Sequence, residues 1–239
     1  MTTVLKIGGG LPRDRGDAAL RALCTAVGAA AARHPLLVVP GGGAFADAVR
    51  AEDRRFGLRA ATAHEMAILA MDQFGLMLGE LVPGAGVCRD LATAAAVQRD
   101  RRAAVLLPAA LVLEAEDLPA SWDVTSDSIA AWVAGRAGAR RVVLLKGVRG
   151  LYAGRPGEGE PIPALGASRL AALQREGRAR GVDPSFAAAL TAAGVEGWVV
   201  GGDNPARLEE LLDTGATIGT RVTADAPASR LGGVAPLLK

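Results

Sequence analysis

VLKIGGG at Val4–Gly10 and LLVVPGGG at Leu36–Gly43 decide the fold of this chain, because each is a short apolar run that stops at three glycines. Such a run reads as a buried strand entering a turn. The strands are Val4–Ile7 and Leu36–Val39, and the alanine-rich stretch Asp17–Arg33 between them has the length and composition of a helix. Strand, helix, strand is the start of a parallel sheet. Glycine after a buried strand lets the backbone come close to an anion, and the amides opening the next helix carry partial positive charge. Two such turns can grip two phosphates. The first strand also carries Lys6, an ammonium that is costly to desolvate unless an anion or carboxylate meets it.

The glycine loops admit other readings. Gly41, Gly43 and Ala46 match a dinucleotide fingerprint, but the acid about twenty positions on, Glu65, lies in AHEMAILAMDQFGLML, which reads as helix rather than strand end. No GxxxxGK[ST] phosphate loop occurs. A permissive turn alone explains the triplets but leaves Lys6 without a reason.

Outward from these loops, a helix opens at Gly43, and a longer one spans Thr62–Glu80 with Met66, Leu69, Ala70 and Phe74 at helical spacing. Pro83, Gly84 and Gly86 interrupt the pattern. A helix is expected over Leu91–Arg99, a strand over Ala104–Leu107 and another strand over Ala109–Leu113. Thr125 or Ser126 caps a helix running to Arg136, placing Asp127 in its first turn. Strand Arg141–Lys146 follows, then a glycine- and proline-rich stretch, Leu145–Pro163, with the content of a hairpin or mobile lid. The last third reads as helix Pro184–Ala193, strand Gly197–Val200, loop Gly201–Pro205, helix Ala206–Asp213 and a short strand near Gly215–Val222.

The bulk properties narrow the function. Lys and Arg number 27 against 25 Asp and Glu, and no basic run carries interleaved aromatics, so nucleic acid is not the expected partner. The first strand begins at once, and no apolar stretch spans a bilayer, so a cytoplasmic protein without membrane partner is expected. Cys24 and Cys88 lack metal-ligand spacing and read as buried thiols; His34, before Pro35, reads as a surface residue at a helix end, and no metal site is expected.

The order KIGGG, PGGG, DVTSDSIA (Asp123–Ala130), LLKGVRGLY (Leu144–Tyr152) and a late GG-x-NP-x-RL followed by IGT resembles the amino acid kinase superfamily from about Val4 to Val222. The resemblance implies an α/β fold with an open, mainly parallel sheet flanked by helices. It implies a single domain over 1–239, with residues to about 120 holding the acceptor and the remainder the nucleotide. Within the superfamily, GGGAFADAVR (Gly41–Arg50), AHEMAILAMDQFG (Ala63–Gly75), VDPSFAAAL (Val182–Leu190) and VVGGDNPARL (Val199–Leu208) are similar to the small kinases acting on (5-(aminomethyl)furan-3-yl)methyl phosphate in methanofuran biosynthesis. Kinases of uridine monophosphate, of isopentenyl phosphate or of a carboxylate are the alternatives, as are molybdate or tungstate storage and nucleotide sensing without catalysis.

That resemblance distributes roles along the chain. Lys6 stabilises charge in transfer, and Gly8, Gly9 and Gly10 line the transferring phosphoryl group. Gly41, Gly42 and Gly43 hold the acceptor, and Asp127 positions the lysine. Asp123 contacts the acceptor or a magnesium water, and Thr125 hydrogen-bonds phosphate. Arg50 binds the acceptor phosphate, and Asp47 or Asp72 pairs with an acceptor ammonium. Lys146, Gly147, Val148, Gly150, Leu151, Tyr152, Arg180, Gly202, Asp203 and Asn204 surround the nucleotide, which is ATP with Mg2+. Many relatives carry a second lysine where this chain has Gly181, leaving Arg178, Arg180 or magnesium to supply that charge. Relatives often have aspartate where Lys146 stands. Dimers or larger rings are common among relatives, and helices Ala18–Ala32 and Ala63–Leu78 could supply such a homo-oligomeric interface.

Overall fold

The computed structural model describes residues 1–155 and 157–225. In chain order its elements are β1 (Thr3–Ile7), α1 (Gly10–Arg15), α2 (Asp17–Ala31), β2 (Leu36–Pro40), α3 (Gly43–Phe56), α4 (Ala60–Leu81), β3 (Gly86–Cys88), α5 (Leu91–Arg99), β4 (Ala104–Leu106), α6 (Ala109–Leu113), α7 (Ser126–Arg136), β5 (Arg141–Lys146), β6 (Ala164–Gly166), α8 (Ala167–Arg175), α9 (Phe186–Ala193), β7 (Glu196–Gly201), α10 (Ala206–Thr214) and β8 (Gly219–Thr223). The strands form one eight-stranded sheet in the order β3-β4-β2-β1-β5-β7-β8-β6. Every pairing is parallel except β7 with β8.

Alternation along the central strands divides their side chains between two cores. Val4 packs with Leu37, Val142 and Leu144 under α7 and α9, whereas Leu5 and Ile7 pack with Leu36, Val38, Val143 and Leu145 under α2 and α10. The long helix α4 contributes to both, through Ile68 and Met71 on one side and Phe74 and Leu78 on the other. Lys6 shares the parity of Val4 and Lys146 that of Leu144, so the periodicity aims both lysines at the face covered by α7.

Topology decides where that matters. From β1 the chain runs outward through β2 to the β3-β4 edge, then returns to lay β5 on the other side of β1. The strand order therefore reverses between β1 and β5, and the crevice beyond the carboxyl ends of strands at such a point is the usual ligand site of an open α/β sheet. Lys6 and Lys146 lie near the carboxyl ends of those two strands.

Several local expectations needed correction. Ala109–Leu113 is the helix α6 rather than a strand. Its first free amide, on Ala109, donates to Asp72 Oδ1 at 2.9 Å, so a carboxylate on α4 caps it. Five apolar residues carry no period long enough to separate helix from strand. Residues 147–163 form an irregular loop with no hairpin strands among the described residues; Pro156 lies outside them. Leu151 and Tyr152 are buried anchors of that loop, and among its described residues 153–155, 157–160 and 163 stand exposed. The strands β3 and β6 and the helices α1 and α8 fall where no element was expected. The final residues of the expected single domain, 226–239, lie outside the described residues.

Candidate active site

β1 delivers Lys6, and α7 begins directly beneath it. Thr125 caps α7, its hydroxyl accepting from the Asp127 amide at 3.4 Å, and this sets Asp127 in the first helical turn against the sheet. Lys6 Nζ lies 2.9 Å from Asp127 Oδ1 and Lys146 Nζ donates to Oδ2 at 2.6 Å. The two contacts differ: Lys146 donates a hydrogen bond to Oδ2, whereas Lys6 meets Oδ1 at ionic distance. The Asp127 side chain is 4% exposed, and burial alone would raise its pKa. The charges of Lys146 and then Lys6 overcome that and hold the carboxyl well below the usual carboxylate range. Burial pushes the Lys146 ammonium down, opposed by the charge of Asp127.

A second buried carboxylate braces the first. Asp183 accepts from the amides of Thr125 and Ser128 at 3.0 Å each, from the Thr125 hydroxyl at 2.7 Å, from the Ser128 hydroxyl and from the Ser185 amide at 3.1 Å. It thus caps α7 from another part of the chain, and its own amide donates to Asp127 Oδ2 at 3.3 Å. Burial, then the charge of Asp127, raises its pKa. The sequence reading gave Asp183 no role. Its one signal was an acid directly before Pro184 and the start of α9, which looks like an ordinary helix-entry residue.

The two glycine loops meet over this centre. A Cβ on Gly9 would fall 2.0 Å from Gly43 Cα, and one on Gly41 would fall 3.1 Å from Gly8 Cα. The first contact excludes any side chain and the second leaves one crowded, and Gly43 has a φ of 56°, the left-handed region that glycine occupies without strain. Together the loops and the lysines line a cavity of ≈ 360 Å³. Of the residues singled out from sequence, Lys6, Gly8, Gly9, Gly10, Gly41, Gly42, Gly43, Asp47, Arg50, Thr125, Asp127, Lys146, Gly147 and Val148 line it. Arg13 and Asp14 on α1, not anticipated, join them at the rim, where Asp47 binds Arg50 at 2.8 Å and Arg13 at 3.4 Å.

The remainder are placed elsewhere. Asp72 caps α6 and lies 3.9 Å from Arg89. Asp123 is exposed, its amide donating to Ser121 Oγ. Leu151 and Tyr152 are core, and Gly150 packs against Thr220. Asp203 pairs with Arg207 at 3.0 Å, and Asn204 Oδ1 accepts from the Ala206 amide at the start of α10. Gly202 backs onto Leu11 and Leu23. Neither candidate for the missing cation reaches the cavity: Arg178 donates to the Ala153 carbonyl and Arg180 to the Gly177 carbonyl. Gly181 lines the cavity, but the cation there is Lys146.

Beside the main cavity, a narrower crevice of ≈ 40 Å³ opens between α3, α4 and the segment entering α7. Ala46, Ile68 and Met71 form its apolar wall, with Arg50, His64 and Trp122 at its edge. Trp122 Nε1 donates to Asp53 at 3.1 Å and stacks with Arg50 5.0 Å from its ring centre. Burial lowers the His64 pKa, partly offset by a hydrogen bond to the Ser121 backbone. Among the described residues no cluster of three or more His, Cys, Asp or Glu could hold a metal ion, and no helix is long and apolar enough to cross a membrane. Cys24 and Cys88 are free and buried, which raises each thiol to about 11.

An open α/β sheet with two apposed glycine turns and two lysines on one carboxylate at the point of strand reversal is an arrangement suited to phosphoryl transfer. The amino acid kinase family model matches residues 1–201, and the chain belongs to that family. It is 28% identical over 222 residues to the [5-(aminomethyl)furan-3-yl]methyl phosphate kinase of Methanocaldococcus jannaschii, covering 92% of this chain and 96% of that protein. Its fold is that of solved uridylate kinases. The Archaeoglobus fulgidus structure superposes with a TM-score of 0.73 at 20% identity, covering 93% of this chain and all of that one. The Bacillus anthracis UMP kinase does so with 0.72 at 15% identity, covering 94% and 96%.

Proposed function

We infer that this chain is an ATP-dependent kinase that phosphorylates a phosphate monoester to a diphosphate, with [5-(aminomethyl)furan-3-yl]methyl phosphate as acceptor. The observation that narrows the acceptor to a group already ionised is the clamp on Asp127, and the choice of phosphate among such groups rests on the similarity to the furan phosphate kinase. A carboxylate held between two ammonium groups, with its pKa driven well below the usual range, is a poor base. A hydroxyl acceptor needs a base to take its proton, whereas a phosphate monoester, with a second pKa of about 6, is already a nucleophilic dianion at neutral pH. A cavity built from lysines and backbone amides supplies what such a transfer needs, namely placement and positive charge around the moving phosphoryl group.

In this reading the acceptor phosphate rests on Gly41, Gly42 and Gly43 with Arg50, and Gly8, Gly9 and Gly10 cradle the transferring group beside Lys6. Thr125, at the cap of α7, faces the acceptor side. ATP enters as its magnesium complex over Gly147 and Val148, its metal held by phosphates and waters rather than by a protein cage. The buried Leu151 and Tyr152 form the scaffold behind that nucleotide site rather than its lining. Support for the furan acceptor is the 28% identity along nearly the whole chain, together with a crevice whose size and apolar wall suit a small flat ring. Asp47, with Asp14 beside it at the rim, is a carboxylate at the cavity open to an aminomethyl group.

The test is ADP release from MgATP with the furan phosphate, uridine monophosphate and isopentenyl phosphate, each against Lys6→Ala. Turnover on the furan compound above the other two, lost by about 10³-fold in Lys6→Ala without loss of fold, is the expected result. Turnover on uridine monophosphate alone transfers the acceptor assignment to the nucleotide, and near-normal rates in Lys6→Ala remove Lys6 from the mechanism.

A further inference from the structure

Four cationic side chains line the main cavity among the described residues: Lys6, Arg13, Arg50 and Lys146. Arg13 and Arg50 sit at the acceptor rim and share Asp47. Lys6 and Lys146 share Asp127, so two buried ammonium groups meet one carboxylate. Only Asp127 meets both directly, Asp183 acting on the partly buried Lys146 as a more distant charge, so an ammonium here gains from any anion that joins it. The two lysines are not equivalent. Lys6, on β1, has the glycine loops over it. Lys146, on β5, sits on the β7 side of Lys6, next to Gly147 and Gly181, which contribute no side chains to the cavity. Asp127 keeps two other partners if Lys146 departs, the Lys6 ammonium and the Asp183 amide.

Resting on the kinase reading above, we propose that Lys146 is a second catalytic cation, which exchanges Asp127 for the leaving diphosphate of ATP during transfer. An oxygen of the acceptor phosphate attacks the terminal phosphorus and forms the new P–O bond. The bond between that phosphorus and the bridging oxygen breaks, and its electron pair stays on the oxygen of departing ADP. No proton is transferred: Lys146 keeps its three protons and donates one as a hydrogen bond to the oxygen on which charge accumulates. Lys6 meets the transferring group from the other side. A flexible ammonium stem is suited to such an exchange, since it is a point charge free to turn between two anions.

The experiment compares wild type, Lys146→Met and Lys146→Arg, with folding checked by thermal melting. Turnover is measured with MgATP and the phosphate acceptors above. Binding is measured by calorimetry with MgADP alone and with MgADP plus aluminium fluoride, which imitates the phosphoryl group in flight. Lys146→Met should lose about 10²-fold or more in kcat with KM for ATP within about 3-fold, and Lys146→Arg should recover part of the loss. In Lys146→Met, affinity for MgADP with aluminium fluoride should fall by a factor close to the kcat loss, while affinity for MgADP alone stays within about 3-fold. Equal losses for the two complexes would show a residue that binds nucleotide uniformly without favouring the transition state, and turnover within 3-fold of wild type would exclude any catalytic part; either overturns the proposal. Wild type without turnover on any acceptor instead overturns the kinase reading, and the fluoride comparison still decides the role of Lys146.

Discussion

Asp127 and Asp183 are two buried aspartates joined by one hydrogen bond, and their surroundings drive them in opposite directions. Burial raises the pKa of both. Asp127 faces two ammonium groups, whose charge overcomes the desolvation. Asp183 faces amides and hydroxyls, whose dipoles do not, and it also feels the charge of Asp127. The difference separates the carboxylate that pairs two cavity lysines from the one that holds the helix under it. Replacing either removes a buried negative charge, yet the consequences should differ in kind.

The largest effect separates them by activity. Asp127→Asn should lower kcat by about 10³-fold because both lysines lose the charge that orients them, whereas Asp183→Asn should lower it by about 10-fold through its slackened grip on α7. Equal losses of kcat in the two variants would merge them into one catalytic unit. Next in size, Gly9→Ala places a methyl on Gly43 Cα, and forcing the loops apart should cost about 1–3 kcal/mol of stability and at least about 10²-fold in turnover. A Gly9→Ala enzyme with normal kinetics would mean that the loops separate at no cost when they bind phosphate.

A smaller effect tests the third carboxylate. Asp72→Ala removes the cap of α6 and should cost about 1 kcal/mol, seen as a urea midpoint shift, with kcat and KM unchanged within about 2-fold. A rise in KM specific to an ammonium-bearing acceptor would restore Asp72 to the acceptor site.

The smallest effect is in pH. Asp127 is depressed in the folded state, so below 3.8 the unfolded chain binds more protons and the stability this group contributes is lost as pH falls. Asp183 is raised, so above 3.8 the folded chain binds more protons, and stability contributed by its protonated form is lost as pH rises through its folded pKa. Urea midpoints between pH 6 and pH 3, measured for Asp127→Asn and Asp183→Asn against wild type, should therefore diverge with opposite sign. Parallel curves would show that the two groups titrate as one.

Legibility followed the range of the interaction. The glycine loops, the cap at Thr125 and the first-turn Asp127 are local features, and α5 and β5 have the expected bounds for the same reason. The helix α6 was misread because five apolar residues have no period of their own and its cap comes from Asp72, thirty-seven positions away. Asp183 was passed over because its partners Thr125 and Ser128 are more than fifty residues distant, and its neighbours in sequence suggest only a helix entry.

By itself the sequence determined that this chain makes a mainly parallel sheet with two glycine turns at strand ends and a lysine that needs a counter-charge. Those properties reside in hydrophobic period, glycine placement and the desolvation of single groups, each complete within a few residues. Only the tertiary structure decided that Lys146 shares Asp127 with Lys6, that Arg178 and Arg180 stay outside, and that Asp183 holds the helix. Those are outcomes of strand order, because placing β5 beside β1 brings together charges 140 residues apart, and their cost and strength depend on the depth at which they meet.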